Sequence, residues 1–165
     1  MVEHIFERFN IFRNLKILLF MSAFKAVISI IFSILSNYFL DSEKITNSAI
    51  QGFDTANKFV IAVLFAPLIE TLIFQFLVIE LVLFLLKRAK HSYGEFFSIL
   101  VSSFLFSMTH SYSNYYILYA FISGFIYAYF YLFARKRNGM NGYLTVAFVH
   151  SFSNFTGFIF EILTS

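Results

Sequence analysis

The chain has 165 residues, of which 59% are hydrophobic and 22% aromatic, with 26 phenylalanines. Only 13% are charged, about half the share usual in a soluble domain, which excludes a soluble globular fold and points to one polytopic membrane domain. The absence of cysteine excludes disulfides and thiolate metal sites. The net charge of +3 lies in loops and reads as topology and lipid contact, not nucleic-acid binding.

Five apolar segments follow in chain order, so the expected fold class is all-α, with about five transmembrane helices and a four-helix catalytic core. Residues 1–16 mix charges with Ile5, Phe6, Phe9 and Phe12, which suits a short helix lying on the membrane surface. The first span is Ile17–Leu40, with Lys25 as its one charge, followed by a polar outer loop, Asp41–Lys58. The second is Phe59–Leu86, long enough for the roughly 20 residues a spanning helix needs. The third, Phe96–His110, is short and serine-rich. The fourth, Tyr115–Ala134, carries Ala120, Gly124 and Ala128, a small-residue stripe that lets another helix approach closely. The fifth is Gly142–Leu163. Residues 1–58 are expected as surface helix, first span and loop, and 59–165 as the core.

Basic residues alternate with these crossings. Arg8, Arg13 and Lys16 precede the first, Lys87, Arg88 and Lys90 follow the second, and Arg135, Lys136 and Arg137 follow the fourth. The positive-inside rule then predicts a cell-membrane protein with a cytoplasmic N-terminus and an external C-terminus.

Four polar residues stand where lipid or apolar packing is expected: Glu70, His110, His150 and Asn154. An ionisable group at membrane depth costs a few kcal/mol and is a functional candidate by default. Glu70 follows Pro67, whose missing N–H frees a backbone carbonyl and bends the helix. Glu80, by contrast, falls on the face of Lys87 and Arg88 near the boundary and is expected to pair or snorkel there. Each of the four alone is explained by an interhelical hydrogen bond or a helix cap. Together they are complementary. A carboxylate and an imidazole activate water; a second imidazole and an amide donate to a developing oxyanion. Glu70, His110 and His150 also match a zinc-hydrolase ligand set in type, though not in spacing, so zinc and no cofactor stay open.

These residues carry a resemblance to the CAAX-protease and bacteriocin-processing (CPBP, or Abi) family of intramembrane proteases, which includes the prenyl-protein protease Rce1. The family pattern is E-E-x-x-x-R, then F-x-x-x-H, then H-x-x-x-N or D. Here it falls on Glu70 to Gln75, Phe106 to His110 and His150 to Asn154. The likeness spans about Phe59 to Phe160. It implies an intramembrane endopeptidase acting on a peptide or membrane-protein substrate among membrane lipids, in a family named as metalloproteases. Glu70 and His110 would activate water, and His150 and Asn154 would hold the oxyanion. The family's second glutamate is Thr71 here and its arginine is Gln75, which are expected to replace an ion pair with a neutral hydrogen bond. The alternatives are a non-enzymatic bacteriocin self-immunity or scaffold protein with a degenerate site, or a proton-coupled transporter.

Overall fold

The computed structural model describes residues 2–39, 52–88 and 93–164, and the side chains among them except those of residues 2–10, 37, 39, 88 and 164. Most of the expected outer loop, with Lys44, lies outside the described residues, as do Lys90 and the side chains of Arg8 and Arg88. Among the described residues there are helices and no strand. Five helices form the bundle: α1 (Val2–Phe39), α2 (residues 55–88), α3 (Gly94–Met108), α4 (Asn114–Arg135) and α5 (Gly142–Thr164). Four of them are long and apolar enough to cross a membrane. At 15 residues, α3 is the short one, about 22 Å against a hydrocarbon core of about 30 Å.

The expected surface helix and first span form one continuous helix, α1. Nothing between Val2 and Phe39 interrupts it, since that stretch holds neither glycine nor proline. Asn14, on its polar end, donates Nδ2–H to the carbonyl of Asn138, and its Oδ1 accepts from Arg137 Nε. This fastens α1 to the turn between α4 and α5.

The bundle is apolar outside and buries polar groups within its core. Leu81, Phe84, Phe104, Phe20 and Leu144 are exposed, while Lys25, Thr71, Gln75, Ser102, Ser103 and His150 are buried. That distribution suits a lipid solvent, where apolar groups gain nothing by hiding and polar groups must be satisfied within the protein. The small-residue stripe on α4 packs against α3. A Cβ added at Gly124 would lie 3.1 Å from Ser103 Cα and 3.1 Å from Phe106 Cδ1. That close approach brings Phe106, and with it the end of α3, against α4.

A cluster of basic residues marks one end. Lys87, Lys136 and Arg137 border one surface groove with Glu95, and Lys136 pairs with Glu95 at 2.6 Å. α3 starts at this end and α4 returns to it, so the turn carrying His110 lies toward the other.

Candidate active site

The middle of α2 is wound irregularly. π-helical turns at Val60–Phe65 and Thr71–Val78 flank an α-helical turn, Ala66–Glu70. Such turns leave backbone groups for other partners and are frequent at functional sites. In the first of them the Ala66 N–H reaches back five residues to the carbonyl of Ile61. Continuing that register, residue 67 would bond the carbonyl of Ala62, but Pro67 has no N–H to give. Asn154 of α5 takes its place, donating Nδ2–H to the Ala62 carbonyl at 2.8 Å. The carbonyl that the proline leaves free is thus satisfied by a side chain from a distant helix. In the second π-helical stretch Ser102 of α3 similarly donates to the carbonyl of Phe74 at 3.0 Å.

Glu70 lies at the end of the central turn, and two imidazoles face it. His110 Nε2 is 3.8 Å from one carboxylate oxygen, and His150 Nε2 is 3.6 Å from the other. The short third helix makes this possible. It ends at Met108, and the following turn sets His110 beside the middle of α2. His110 Nδ1 lies 2.8 Å from the carbonyl of Phe106. A carbonyl only accepts, so Nδ1 carries the proton and Nε2 turns its lone pair toward Glu70. His150 is buried, its Nδ1 has no partner and its Nε2 faces a carboxylate. The tautomer with the proton on Nε2 satisfies that ring best.

Phe106 fixes both rings. Its centroid is 4.4 Å from that of His110 and 5.9 Å from that of His150. On the far side Tyr127 lies against His150 at 4.4 Å, and Tyr116 stacks on His110 at 6.0 Å.

All four sequence candidates border one cavity of about 100 Å³, with Tyr116, Tyr119 and Tyr127 among its other walls. That is room for several waters. The Glu70 side chain is 25% exposed, so the carboxylate opens onto this space. Asn154 uses one N–H on Ala62, and a primary amide has a second.

Two expectations need correction. Thr71 and Gln75 are buried, but they do not bond each other: Thr71 Oγ1 and both polar atoms of the Gln75 amide lack partners. The i, i+4 spacing that predicts their bond assumes α-helical turns, whereas the chain is π-wound from Thr71 to Val78. Glu80 is paired, but across the bundle. It bonds Arg135 Nε at 2.7 Å and Nη2 at 2.9 Å, and accepts from the Tyr131 hydroxyl.

Zinc needs its N and O ligands at about 2.0–2.2 Å around one tetrahedral centre. His110 Nε2 and His150 Nε2 approach different oxygens of Glu70, at 3.8 and 3.6 Å. Among the described residues no group of three or more His, Cys, Asp or Glu is arranged to hold an ion.

Residues 52–156 match the family described as type II CAAX prenyl endopeptidase Rce1-like. The chain belongs to this Rce1-like family. The match takes in the irregular part of α2, all of α3 and α4, and α5 past Asn154. No curated protein and no solved structure matches the chain. The Rce1-like family is one of endopeptidases, and with four apolar helices of spanning length the chain is a multi-pass membrane protein. Helix α1 up to Phe39 lies outside the matched residues, yet it reaches the site. Lys25 of α1 bonds Tyr119 and Ser153, and Tyr119 lines the cavity. In the sequence Lys25 stands only as the one charge of its span; the cost of burying it is the signal that joins it to the other four.

Proposed function

We propose that the protein is an intramembrane endopeptidase that hydrolyses a peptide bond of a peptide or membrane-protein substrate, with Glu70 as general base. The observation that carries this is the Glu70–His110 pair. A carboxylate and an imidazole lone pair, 3.8 Å apart, are two acceptors that one water satisfies by donating an O–H to each.

From that position Glu70 takes one proton as the water oxygen bonds to the scissile carbonyl carbon. The negative charge passes from Glu70 to the carbonyl oxygen. His150, through Nε2–H, and Asn154, through its second N–H, are the donors for that oxyanion. Glu70 then gives its proton to the departing nitrogen as the C–N bond breaks, leaving a carboxylic acid and an amine. Pre-set rings and the tie between Asn154 and the Ala62 carbonyl keep these groups from having to reorganise during the reaction.

The basic end of the bundle faces the cytoplasm of a cell-membrane protein. This puts the N-terminus inside, and α5, starting at that end, carries the C-terminus outside. The test of catalysis is cleavage of a pool of internally quenched apolar peptides by full-length protein in proteoliposomes. Cleavage should be lost in Glu70→Gln and strongly reduced in His110→Ala and His150→Ala. Survival of cleavage in all three overturns the reading. A second reading, a binding or self-immunity protein, draws on the unpartnered Thr71 and Gln75 where the family has an ion pair. It requires cellular protection that persists in Glu70→Gln.

A further inference from the structure

One charge inside the bundle has no part in the chemistry above. Lys25 has 0% exposure and sits on α1, outside the matched residues 52–156. A lysine at membrane depth persists where it is paired or where a site uses it. Here Nζ donates to Ser29 Oγ at 2.9 Å, Tyr119 OH at 3.2 Å and Ser153 Oγ at 3.3 Å. Those hydroxyls also meet one another, with Ser29 Oγ 2.7 Å from Ser153 Oγ and 2.9 Å from Tyr119 OH. The ammonium lies 5.0 Å from the Tyr119 ring and 5.1 Å from the Tyr127 ring, within cation–π range of both. Among the described residues no carboxylate forms an ion pair with it.

The contacts of Lys25 lead to the cavity. Tyr119 and Tyr127 line it. Ser153 immediately precedes Asn154, and the Tyr127 ring is 5.1 Å from the ammonium and 4.4 Å from the His150 imidazole. On the proteolytic reading, with both imidazoles neutral, the cavity holds one negative charge throughout. That charge starts on Glu70 and moves to the carbonyl oxygen, toward the wall formed by His150 and Asn154. A cation fixed beside that wall, in surroundings of low dielectric constant, favours the move without having to reorganise.

We propose that Lys25 is a positioning residue of this site: its ammonium, held by Ser29, Tyr119 and Ser153, is the counter-charge for the oxyanion at His150 and Asn154. The proposal rests on the proteolytic reading and adds a residue from outside the matched region. It touches no substrate, so its removal acts on turnover and not on binding.

The experiment is steady-state cleavage by full-length protein in proteoliposomes, with the quenched peptide that the wild type cuts fastest, normalised to folded protein. Lys25→Met should lower kcat by about ten- to a hundredfold, less than the ~10²–10³ of losing a direct oxyanion donor, and leave KM within about twofold. Lys25→Arg should recover kcat to within about threefold of wild type. A structural role alone would reduce the yield of folded Lys25→Met while leaving its kcat unchanged, and that result overturns the proposal. Should Lys25→Met not fold, Ser29→Ala keeps the ammonium and loosens its seat. It should lower kcat about three- to tenfold, and an unchanged kcat again overturns the proposal. If Glu70→Gln is inactive while the Lys25 variants turn over normally, the Lys25 proposal fails alone. If the wild type cleaves nothing, both fail.

Discussion

Glu70 and Glu80 share one helix and the same carboxyl group, and their surroundings separate them. Glu80 is held by Arg135 and Tyr131 near the basic end. Both its oxygens are occupied, and it has nothing left for chemistry. Glu70 faces two imidazoles across a cavity, at distances too long for a direct hydrogen bond. Glu70→Gln should therefore lower the cleavage rate by at least ~10²–10⁴ without unfolding the protein. Glu80→Gln should leave the rate within about twofold and cost about 0–1 kcal/mol, since the pair is partly exposed. Thermal unfolding in detergent beside the peptide assay checks both. That Glu70 and not Glu80 lies deep in the bundle was legible in the sequence from position along the helix alone. The partner of Glu80 was not, because spacing along one helix sees only neighbours on that helix, and Arg135 comes from α4.

At the scale of the element, the backbone of α2 at Pro67 depends on α5. Pro67 withholds an N–H from the Ala62 carbonyl, and Asn154 supplies one. Asn154→Ala strands that carbonyl, at a cost of about 1–3 kcal/mol. Pro67→Ala restores an N–H at the position that would reach it. In a double-mutant cycle the two substitutions should couple favourably by about 0.6–2 kcal/mol, with stability recovering in Asn154→Ala/Pro67→Ala and activity staying low. Strictly additive effects would refute the link. The α3–α4 contact makes a second prediction. Gly124→Ala presses a methyl to 3.1 Å from both the Ser103 backbone and Phe106. It should cost about 1–3 kcal/mol and reduce cleavage, because Phe106 seats both imidazoles. Gly157→Ala, with nothing within 4 Å of the added carbon, should be neutral or stabilising by up to about 1 kcal/mol. Denaturation midpoints of the two variants compare them directly. The stripe of Ala120, Gly124 and Ala128 announced a close helix contact; that the contact places Phe106 against the candidate site needed the position of α3.

For the whole molecule, the gathering of Lys87, Lys136 and Arg137 at one end of the bundle gives an expected orientation. A reporter fused to the N-terminus should lie in the cytoplasm and one fused to the C-terminus on the opposite side; finding both on one side would refute the proposed orientation. The sequence by itself determined that this is a helical membrane protein and which polar groups are out of place in it. Those are local properties: an apolar run long enough to cross lipid, and a charged or imidazole side chain inside it, are visible without knowing any neighbour. Tertiary structure decided what those groups meet. Lys25 reaches Ser153 across 128 positions of sequence, Asn154 reaches Ala62 across 92, and Thr71 and Gln75, four apart, do not meet at all. Helical periodicity fixes which face a residue occupies, whereas the packing of one helix on another decides what lies opposite that face. Glu70 is a base candidate from its depth, and it becomes a site through helices α3, α4 and α5, with α1 behind them.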